Sequence, residues 1–144
     1  MTTDRPGHYL KYAVFCRETE EGPGDELTFK GIIDLHEIEM PAEPPSGDTP
    51  LLDEIDVSLA FCIAGASPGN HSLQISIRAP GIPLSTPPAQ SISWEEGIMF
   101  QRWIRTFRIP VQRVGRHVAI ILLDGAPVGE ASFMVRFKDE AATD

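Results

Sequence analysis

The sequence has no long hydrophobic run, few cysteines and no sustained helical pattern. None of its segments approaches the roughly 20 consecutive apolar residues of a membrane-spanning helix, and MTTDRPGHYLKY at residues 1–12 lacks the basic and then apolar pattern of a signal peptide. We therefore expect a cytoplasmic protein with no membrane partner. The two cysteines, Cys16 and Cys62, fit small buried thiols, the commoner state in an intracellular domain, with a disulfide as the alternative.

Motifs for metal, nucleotide and nucleophilic chemistry are incomplete. His36-Glu37 begins the H-E-x-x-H zinc motif, but Met40 occupies the second histidine position. GASPG at 65–69 matches the G-x-S-x-G nucleophile elbow, yet Pro68 lacks the N–H that would stabilise an oxyanion. No glycine-rich phosphate loop precedes a helix. We expect no cofactor, no metal site and no catalytic residue, and therefore a protein that is not an enzyme. We place all four histidines at strand ends or on the surface: His8, His36, His71 and His117.

Length and charge bound the remaining possibilities. A chain of 144 residues and 15.8 kDa predicts one domain over 1–144. Residues 1–56 carry fourteen acidic and four basic side chains, whereas residues 57–144 carry seven and eight, and the formal net charge is −9. Because nucleic-acid phosphates require a basic footprint, this balance predicts no nucleic-acid partner.

Two central segments alternate between apolar and small or polar residues, as half-buried strands do. From Ile55 to Ile63 the apolar face holds every second residue, and the segment from Leu73 to Ala79 repeats the pattern. We interpret the intervening GASPGN as the turn of a hairpin. Matching the two apolar faces then predicts the pairs Phe61 with Leu73 and Cys62 with Ser72.

The clearest element is a second hairpin, Gly115 to Phe137, which turns at Asp124-Gly125. Asp-Gly is typical of a type I′ turn, because both central residues need positive φ. A regular ladder from that turn pairs Leu123 with Ala126, Ile121 with Val128, Ala119 with Glu130 and His117 with Ser132. In this ladder one face is the better candidate for the core, and it carries Val118, Ile120, Leu122, Ala131, Phe133, Val135 and Phe137. The other face keeps an apolar patch that must meet a loop or a partner chain: Ile121, Leu123 and Val128.

The whole pattern predicts an all-β chain. Thirteen prolines and twelve glycines favour many turns, and we count seven or eight strands without a repeat or a convincing helix. This is the profile of an antiparallel β-sandwich, immunoglobulin-like or a near relative. Residues 41–50 (PAEPPSGDTP) read as a proline-rich loop and residues 138–144 as a polar tail.

We predict a strand from Phe100 to Ile109 that Pro110 ends. A run of arginines begins in this strand and continues just beyond it. Five arginines fall within fifteen residues that contain no acid, with Trp103 and Phe107 between them: Arg102, Arg105, Arg108, Arg113 and Arg116. On a strand, Arg102 and Arg108 share one face, and Arg105 shares the other with Trp103 and Phe107. A charge buried there unpaired would be costly. Three alternatives stay open: an edge strand blunted by charge, a pair between Arg105 and a carboxylate of the acidic N-terminal half, or a site for an anionic partner.

Four stretches together resemble an uncharacterised family of small bacterial domains of unknown function. They are YLKYAVFC with LTFKGIIDLHEI, PGNHSLQISIRAPG, and FRIPVQRVGRHVAIILLDGAPVGEASFMV. The resemblance implies a β-sandwich and supplies no catalytic residues.

These observations predict a non-enzymatic interaction or structural module that acts through a homodimer or a protein partner. Its partner-binding residues would be the arginine run with Trp103 and the apolar patch. The alternative is a small-molecule or hydrolytic domain that uses the Arg/Trp cluster at 102–116 for a carboxylate or phosphate. That alternative requires a concave pocket lined by Arg105, Trp103 and a histidine.

Overall fold

The computed structural model describes residues 7–40, 51–85 and 87–138, so the proline-rich loop at 41–50 and the tail beyond Lys138 lie outside the described residues. Within them the chain forms strands and no helix, which confirms the all-β prediction, but the strands number ten rather than seven or eight. They are β1 (Tyr9–Glu21), β2 (Leu27–Ile32), β3 (Leu35–Ile38), β4 (Asp53–Ala64), β5 (Gly69–Ala79), β6 (Ile82–Ser85), β7 (Gln90–Trp94), β8 (Phe100–Val111), β9 (Gly115–Leu123) and β10 (Ala126–Phe137). None of the described segments is a helix that could cross a membrane.

The strands form two sheets. One has the order β2-β1-β4-β8, and the other has the order β3-β10-β9-β5-β6, with β7 also paired to β5. The described ladders are antiparallel except for β3, which runs parallel to β10 from Leu35↔Met134 to Ile38↔Phe137. The prediction of a purely antiparallel fold is therefore wrong at β3, because the chain reaches β10 from β2 without a hairpin.

Both sheets contribute to one apolar core. The alternation predicted for β4 is confirmed, because its apolar face from Ile55 to Ile63 is at most 1% exposed. Facing it, β10 contributes Phe133, whose ring meets Phe15 of β1 edge-on at a centroid distance of 5.1 Å. Edge-to-face contact is a favoured arrangement for buried aromatic rings.

The segment 65–68 connects the two sheets and does not close a hairpin. β4 pairs with β1 and β8, whereas β5 pairs with β9, β7 and β6. The predicted pairs Phe61 with Leu73 and Cys62 with Ser72 are therefore wrong: Phe61 pairs with Trp103, and Leu73 pairs with Leu123. The apolar face of a strand is buried against the core whichever of the two sheets the strand belongs to. Alternation alone therefore does not distinguish a hairpin within one sheet from a connection between the two sheets.

The hairpin of β9 and β10 begins as predicted and then shifts. Asp124 and Gly125 have φ angles of 53° and 80°, and Leu123 pairs with Ala126, which confirms the turn. A bulge between Pro127 and Gly129 then leaves Val128 unpaired and moves the register by one residue. The predicted pairs beyond it are wrong, and the observed ones are Ile121 with Gly129, Ala119 with Ala131 and His117 with Phe133.

That single extra residue reverses the predicted faces of β9. Ile121 and Leu123 are 0% and 1% exposed and belong to the core, whereas the predicted core residues Val118, Ile120 and Leu122 are only half-buried. With Val128 half-buried against the core, the outward apolar patch does not exist. The bulge coincides with Gly129, where a Cβ would overlap the side chain of Leu10 in the opposite sheet.

The hairpin of β1 and β2 folds over the outer face of its own sheet. Its Phe29 ring packs on Tyr12 at a centroid distance of 5.4 Å, and the Asp25 carbonyl at its tip accepts a hydrogen bond from Arg102 of β8. Tyr12 and Arg102 flank Cys62 in the ladders, so this cover helps to bury that thiol. Cys16 and Cys62 are free and buried, which confirms the thiol prediction over the disulfide.

Candidate nucleic-acid interface

β8 lies at the edge of the four-stranded sheet. It pairs with β4 from Ala64↔Phe100 to Asp53↔Val111, and no described strand pairs with its other side. This confirms the edge-strand alternative. The strand runs one residue past Pro110, where a residue without an N–H is tolerated because one side of an edge strand has no ladder. Edge strands commonly carry charge, which discourages pairing with a second chain.

The two faces of β8 carry different chemistry, as the alternation predicts. Arg102 and Arg108 lie opposite Cys62 and Asp56 on the outer face. On the inner face, Trp103 stacks on Phe61 at a centroid distance of 5.3 Å and an interplanar angle of 23°. Arg105 follows on that inner face, half-buried at the open margin of the core.

Two of the five arginines have carboxylate partners. Arg108 Nε lies 2.9 Å from Asp56 Oδ1 and 3.6 Å from Glu54 Oε2, and these carboxylates raise the pKa of the Arg108 guanidinium. Arg116 Nη2 lies 2.5 Å from Glu130 Oε2 on the adjacent strand β10. The charge of each of these arginines is locally compensated.

The other three arginines contact neutral groups. Arg102 Nη1 donates to the backbone carbonyl of Asp25, and Arg105 Nη2 donates to the side-chain oxygen of Gln90. Arg113 lies along Gly81, where a Cβ would come within 3.1 Å of its Cδ. In the described ranges no carboxylate lies within 4 Å of these three guanidinium groups. The alternative that pairs Arg105 with an N-terminal carboxylate is thus not met by any described residue, since the group that accepts from Arg105 there is the neutral side-chain oxygen of Gln90.

A lysine and several exposed apolar side chains extend this edge. Lys11 of β1 places its Nζ 5.3 Å from the centroid of the Phe100 ring, a cation–π contact. Next to it Met99 is 78% exposed, and Ile104 is exposed on the outer face. We define the β8 surface as Lys11, Phe100, Arg102, Ile104, Arg105 and Phe107.

Sequence reasoning missed the contribution of Lys11, because 89 positions separate it from Phe100. A bulge in β1 between Leu10 and Tyr12 places Lys11 at this end of the sheet. No local pattern encodes such a neighbour; a correct strand order would have identified it.

An apolar slot opens beside Arg105, between β8 and the strands β5 and β7. It has a volume of about 180 Å³ and is lined by Leu73, Gln74, Ile75, Pro87, Pro88, Gln90, Arg105 and Phe107. The pocket required by the small-molecule alternative is thus present only in part. Trp103 is engaged with Phe61, and no histidine lines the slot.

Contacts within the fold are made by His36, His71 and His117. His71 Nδ1 lies 2.6 Å from Asp124 Oδ2, and its Nε2 lies 2.7 Å from the backbone carbonyl of Ser67. With both ring nitrogens against acceptors the protonated form is favoured, and the hydrogen bond to Asp124 raises the pKa of His71. The group of Ser67 that contacts His71 is the backbone carbonyl and not the side-chain hydroxyl. This geometry does not allow His71 to activate Ser67 as a nucleophile.

The placement of His117 departs from the prediction of a strand-end or surface residue. It is fully buried in the core, and its ring stacks on Phe133 at a centroid distance of 5.2 Å. Its Nδ1–H donates to the Gly115 carbonyl at 3.0 Å, whereas Nε2 has no hydrogen-bond partner among the described residues. Burial lowers the pKa of His117 and so favours the neutral imidazole.

The remaining titratable side chains do not gather into a metal site. His36 Nε2 lies 3.0 Å from Asp53 Oδ2, and this contact lowers the pKa of Asp53. Across residues 7–40, 51–85 and 87–138, no group of three or more histidine, cysteine, aspartate or glutamate side chains could hold a metal ion.

Comparison with known proteins gives a structural match without a sequence match. No family model matches the chain, and no curated protein matches it. Among solved structures, the alkylpurine DNA glycosylase AlkC of Pseudomonas fluorescens, bound to DNA containing an abasic site analogue, superposes with a TM-score of 0.51. This chain shares its fold with part of a DNA glycosylase. The match covers 92% of this chain and 31% of that one, at 14% sequence identity, which identifies the fold alone.

Two predictions are contradicted by this match. A non-enzymatic protein-interaction module was expected, yet a solved structure that shares the fold is a DNA glycosylase. A nucleic-acid partner was excluded on the net charge of −9, yet that structure is bound to DNA. Net charge is a sum over the whole chain and does not describe the charge of any one surface. The resemblance to an uncharacterised bacterial family stays a prediction.

Proposed function

We propose that this chain contacts DNA through the β8 surface. The observation that carries the proposal is the set of arginines that have no carboxylate partner among the described residues, Arg102, Arg105 and Arg113, on and next to an open sheet edge that also displays Phe100. Guanidinium groups suit phosphate oxygens because they donate several hydrogen bonds in one plane. The fold shared with part of a DNA-bound glycosylase supports the same reading.

The acidic total charge does not oppose this contact at short range. The Debye length is about 8 Å at physiological ionic strength, so acids beyond that distance are largely screened from a bound phosphate. Two carboxylates beside the outer face of β8, those of Glu54 and Asp56, already lie next to Arg108, and the acidic β1–β2 hairpin contacts Arg102 through the backbone carbonyl of Asp25. The surplus acids should instead lower the association rate and confine DNA to one orientation.

The expected affinity is modest and dependent on salt. Three phosphate contacts release about three counterions, so log K should fall with log salt with a slope of about −2.7. Raising the salt from about 50 to 200 mM would then weaken binding roughly 40-fold. A single module of this kind corresponds to nonspecific dissociation constants of about 10⁻⁴ to 10⁻⁶ M at physiological salt.

We further propose that the two sheets form an immunoglobulin-like sandwich and that this fold holds the DNA. The carboxylates beside β8 are held by Arg108, and His71 and His36 are occupied by Asp124 and Asp53. Because the shared fold spans 31% of the glycosylase, the remaining part of such a protein would supply the chemistry.

The test is fluorescence anisotropy with a labelled DNA duplex of about 20 base pairs at several salt concentrations. The double variant Arg102→Gln/Arg105→Gln should reduce the salt slope by about 1.8 and weaken binding at least tenfold at about 50 mM salt. The matched control is Arg116→Gln/Arg136→Gln, which removes the same charge from residues that pair with Glu130 and Glu37. Equal effects in the two variants, or no binding by the unmodified chain at about 50 mM salt, would refute the proposal.

A further inference from the structure

The slot beside Arg105 has the size and the lining of a site for one ring system. Its apolar lining includes Leu73 and Ile75, which are 2% and 7% exposed, together with Phe107 of β8. Pro87 and Pro88 add two rigid apolar side chains to this lining. The volume of about 180 Å³ is below the ~300–1,000 Å³ of sites for drug-sized ligands. The slot therefore suits a single ring system more than an extended molecule.

Three polar side chains stand at the edges of this apolar slot, and none is acidic. Gln74 Nε2 donates to the Pro87 carbonyl at 3.2 Å, and Gln90 uses its side-chain oxygen to accept from Arg105. Within the described residues these bonds leave the Gln74 oxygen, the Gln90 amide nitrogen and further Arg105 N–H groups without partners. The slot thus offers an acceptor and several donors around an apolar interior.

We propose that this slot takes one unpaired nucleobase, so that the chain binds DNA with an unstacked nucleotide more tightly than an intact duplex. The inference rests on the proposed function and names the part of DNA that the same edge would recognise. Bases combine an apolar π-face with a donor and acceptor edge, which are the two features that the slot presents. A free carboxylate or phosphate fits less well, because its charge would face the apolar walls as well as Arg105.

A second slot along β8 provides a comparison that favours the slot beside Arg105 as the base site. It has a volume of about 260 Å³, shares Phe107, and is otherwise lined by Ile77, Ala79, Ile82, Arg108, Ile109 and Pro110. Its arginine is compensated by Asp56 and Glu54, and it lacks the glutamine amides. Of these two slots, the one beside Arg105 combines hydrogen-bonding side chains with a guanidinium group that has no carboxylate partner among the described residues.

The first experiment compares an intact duplex with the same duplex carrying a one-nucleotide bulge, by anisotropy with the full chain. Stacking one base on an aromatic side chain strengthens binding roughly 5- to 150-fold, and we expect about five- to tenfold tighter binding of the bulged duplex. Gln74→Leu should reduce that preference below twofold and leave duplex affinity unchanged, because it alters no charge. Ala79→Leu, which fills the neighbouring slot, is the matched control and should keep the full preference.

The second experiment follows the side-chain amide resonances of Gln74 and Gln90 by NMR. Titration with deoxyadenosine monophosphate should shift both, whereas inorganic phosphate at the same concentration should not. Equal shifts from the two probes, or no bulge preference alongside salt-dependent duplex binding, would overturn the inference and leave the proposed function standing. Failure to bind any DNA would remove both.

Discussion

Replacement of Asp124 by asparagine tests the contact that ties the β9–β10 turn to the start of β5. Asp124 Oδ2 lies 2.6 Å from His71 Nδ1, and Oδ1 accepts from the backbone N–H of Ser72 at 2.9 Å. Asparagine also adopts the positive φ of 53° that this turn requires, so the substitution removes the charge and preserves the turn. The expected loss then reports the ion pair.

The magnitude follows from exposure. Hydrogen bonds to charged groups contribute about 1.5–3 kcal/mol. The Asp124 side chain is 49% exposed, so solvent screening reduces this contribution by about half, to about 0.8–1.5 kcal/mol. For a chain of this length, that corresponds to a fall in Tm of roughly 2–6 °C.

The pH dependence gives the sharper signature. The pKa of His71 is raised above 6.5, so its contribution is complete below about pH 6.5 and is lost as the pH rises through the folded-state value. The pKa of Asp124 is lowered below 3.8, chiefly by His71, so its contribution is lost as the pH falls through the folded-state value. The pair is therefore strongest between about pH 4 and pH 6.5.

Urea unfolding of both proteins at pH 5.5 and 9 measures this difference, with the His71 pKa followed by NMR. Asp124→Asn should destabilise clearly at pH 5.5 and much less at pH 9, and should lower the pKa of His71. Asp34→Asn, which neutralises an exposed carboxylate between β2 and β3, is the control and should do neither. The same loss at both pH values, or an unchanged His71 pKa, would show that the pair contributes no electrostatic stabilisation.

Three further outcomes follow from the packing. Because burial lowers the pKa of His117, the unfolded chain takes up a proton more readily and acid favours unfolding. His117→Phe should therefore reduce the change in the urea midpoint between about pH 6.5 and pH 5. The same pH dependence in both proteins would contradict this. Gly65 has a φ of 77°, and a Cβ there would overlap the Gly7 carbonyl, so Gly65→Ala should lower the free energy of unfolding by well over ~1 kcal/mol. Gly24→Ala is the control, because Gly24 has a φ of 66° with open space around it, and it should lower the free energy of unfolding less. Similar losses in the two variants would show that the Gly7 carbonyl does not constrain position 65. Burial raises the pKa of the thiols of Cys16 and Cys62, so a thiol reagent should modify both only after urea is added, and rapid labelling of the native chain would be inconsistent with their burial.

Local chemistry predicted the elements whose cause is local. The Asp124-Gly125 turn needs two residues that tolerate positive φ, and the chain offers them between two apolar runs. The buried face of β4 follows from strict alternation, and the charge on β8 indicated an edge strand, which the sheet order confirms. In each case the deciding residues are adjacent in sequence.

The errors arose where a distant contact decides. The shift at Val128 depends on Gly129 meeting Leu10 of the other sheet, although an isolated glycine inside a strand was a signal for a bulge. The slot beside Arg105 requires Gln74 and Pro87, which the sheet order brings to the margin of β8. Neither neighbour is encoded within a window of ten residues.

The bulge at Val128 makes one position of this arm dispensable to the ladder. Deleting Val128 alone would make the pairs Pro127 with Leu122 and Gly129 with Ile121 consecutive, so that Phe133 and Val135 would keep facing the core. We therefore expect this arm to accept a change of one residue in length at the bulge without exchanging its inner and outer sides.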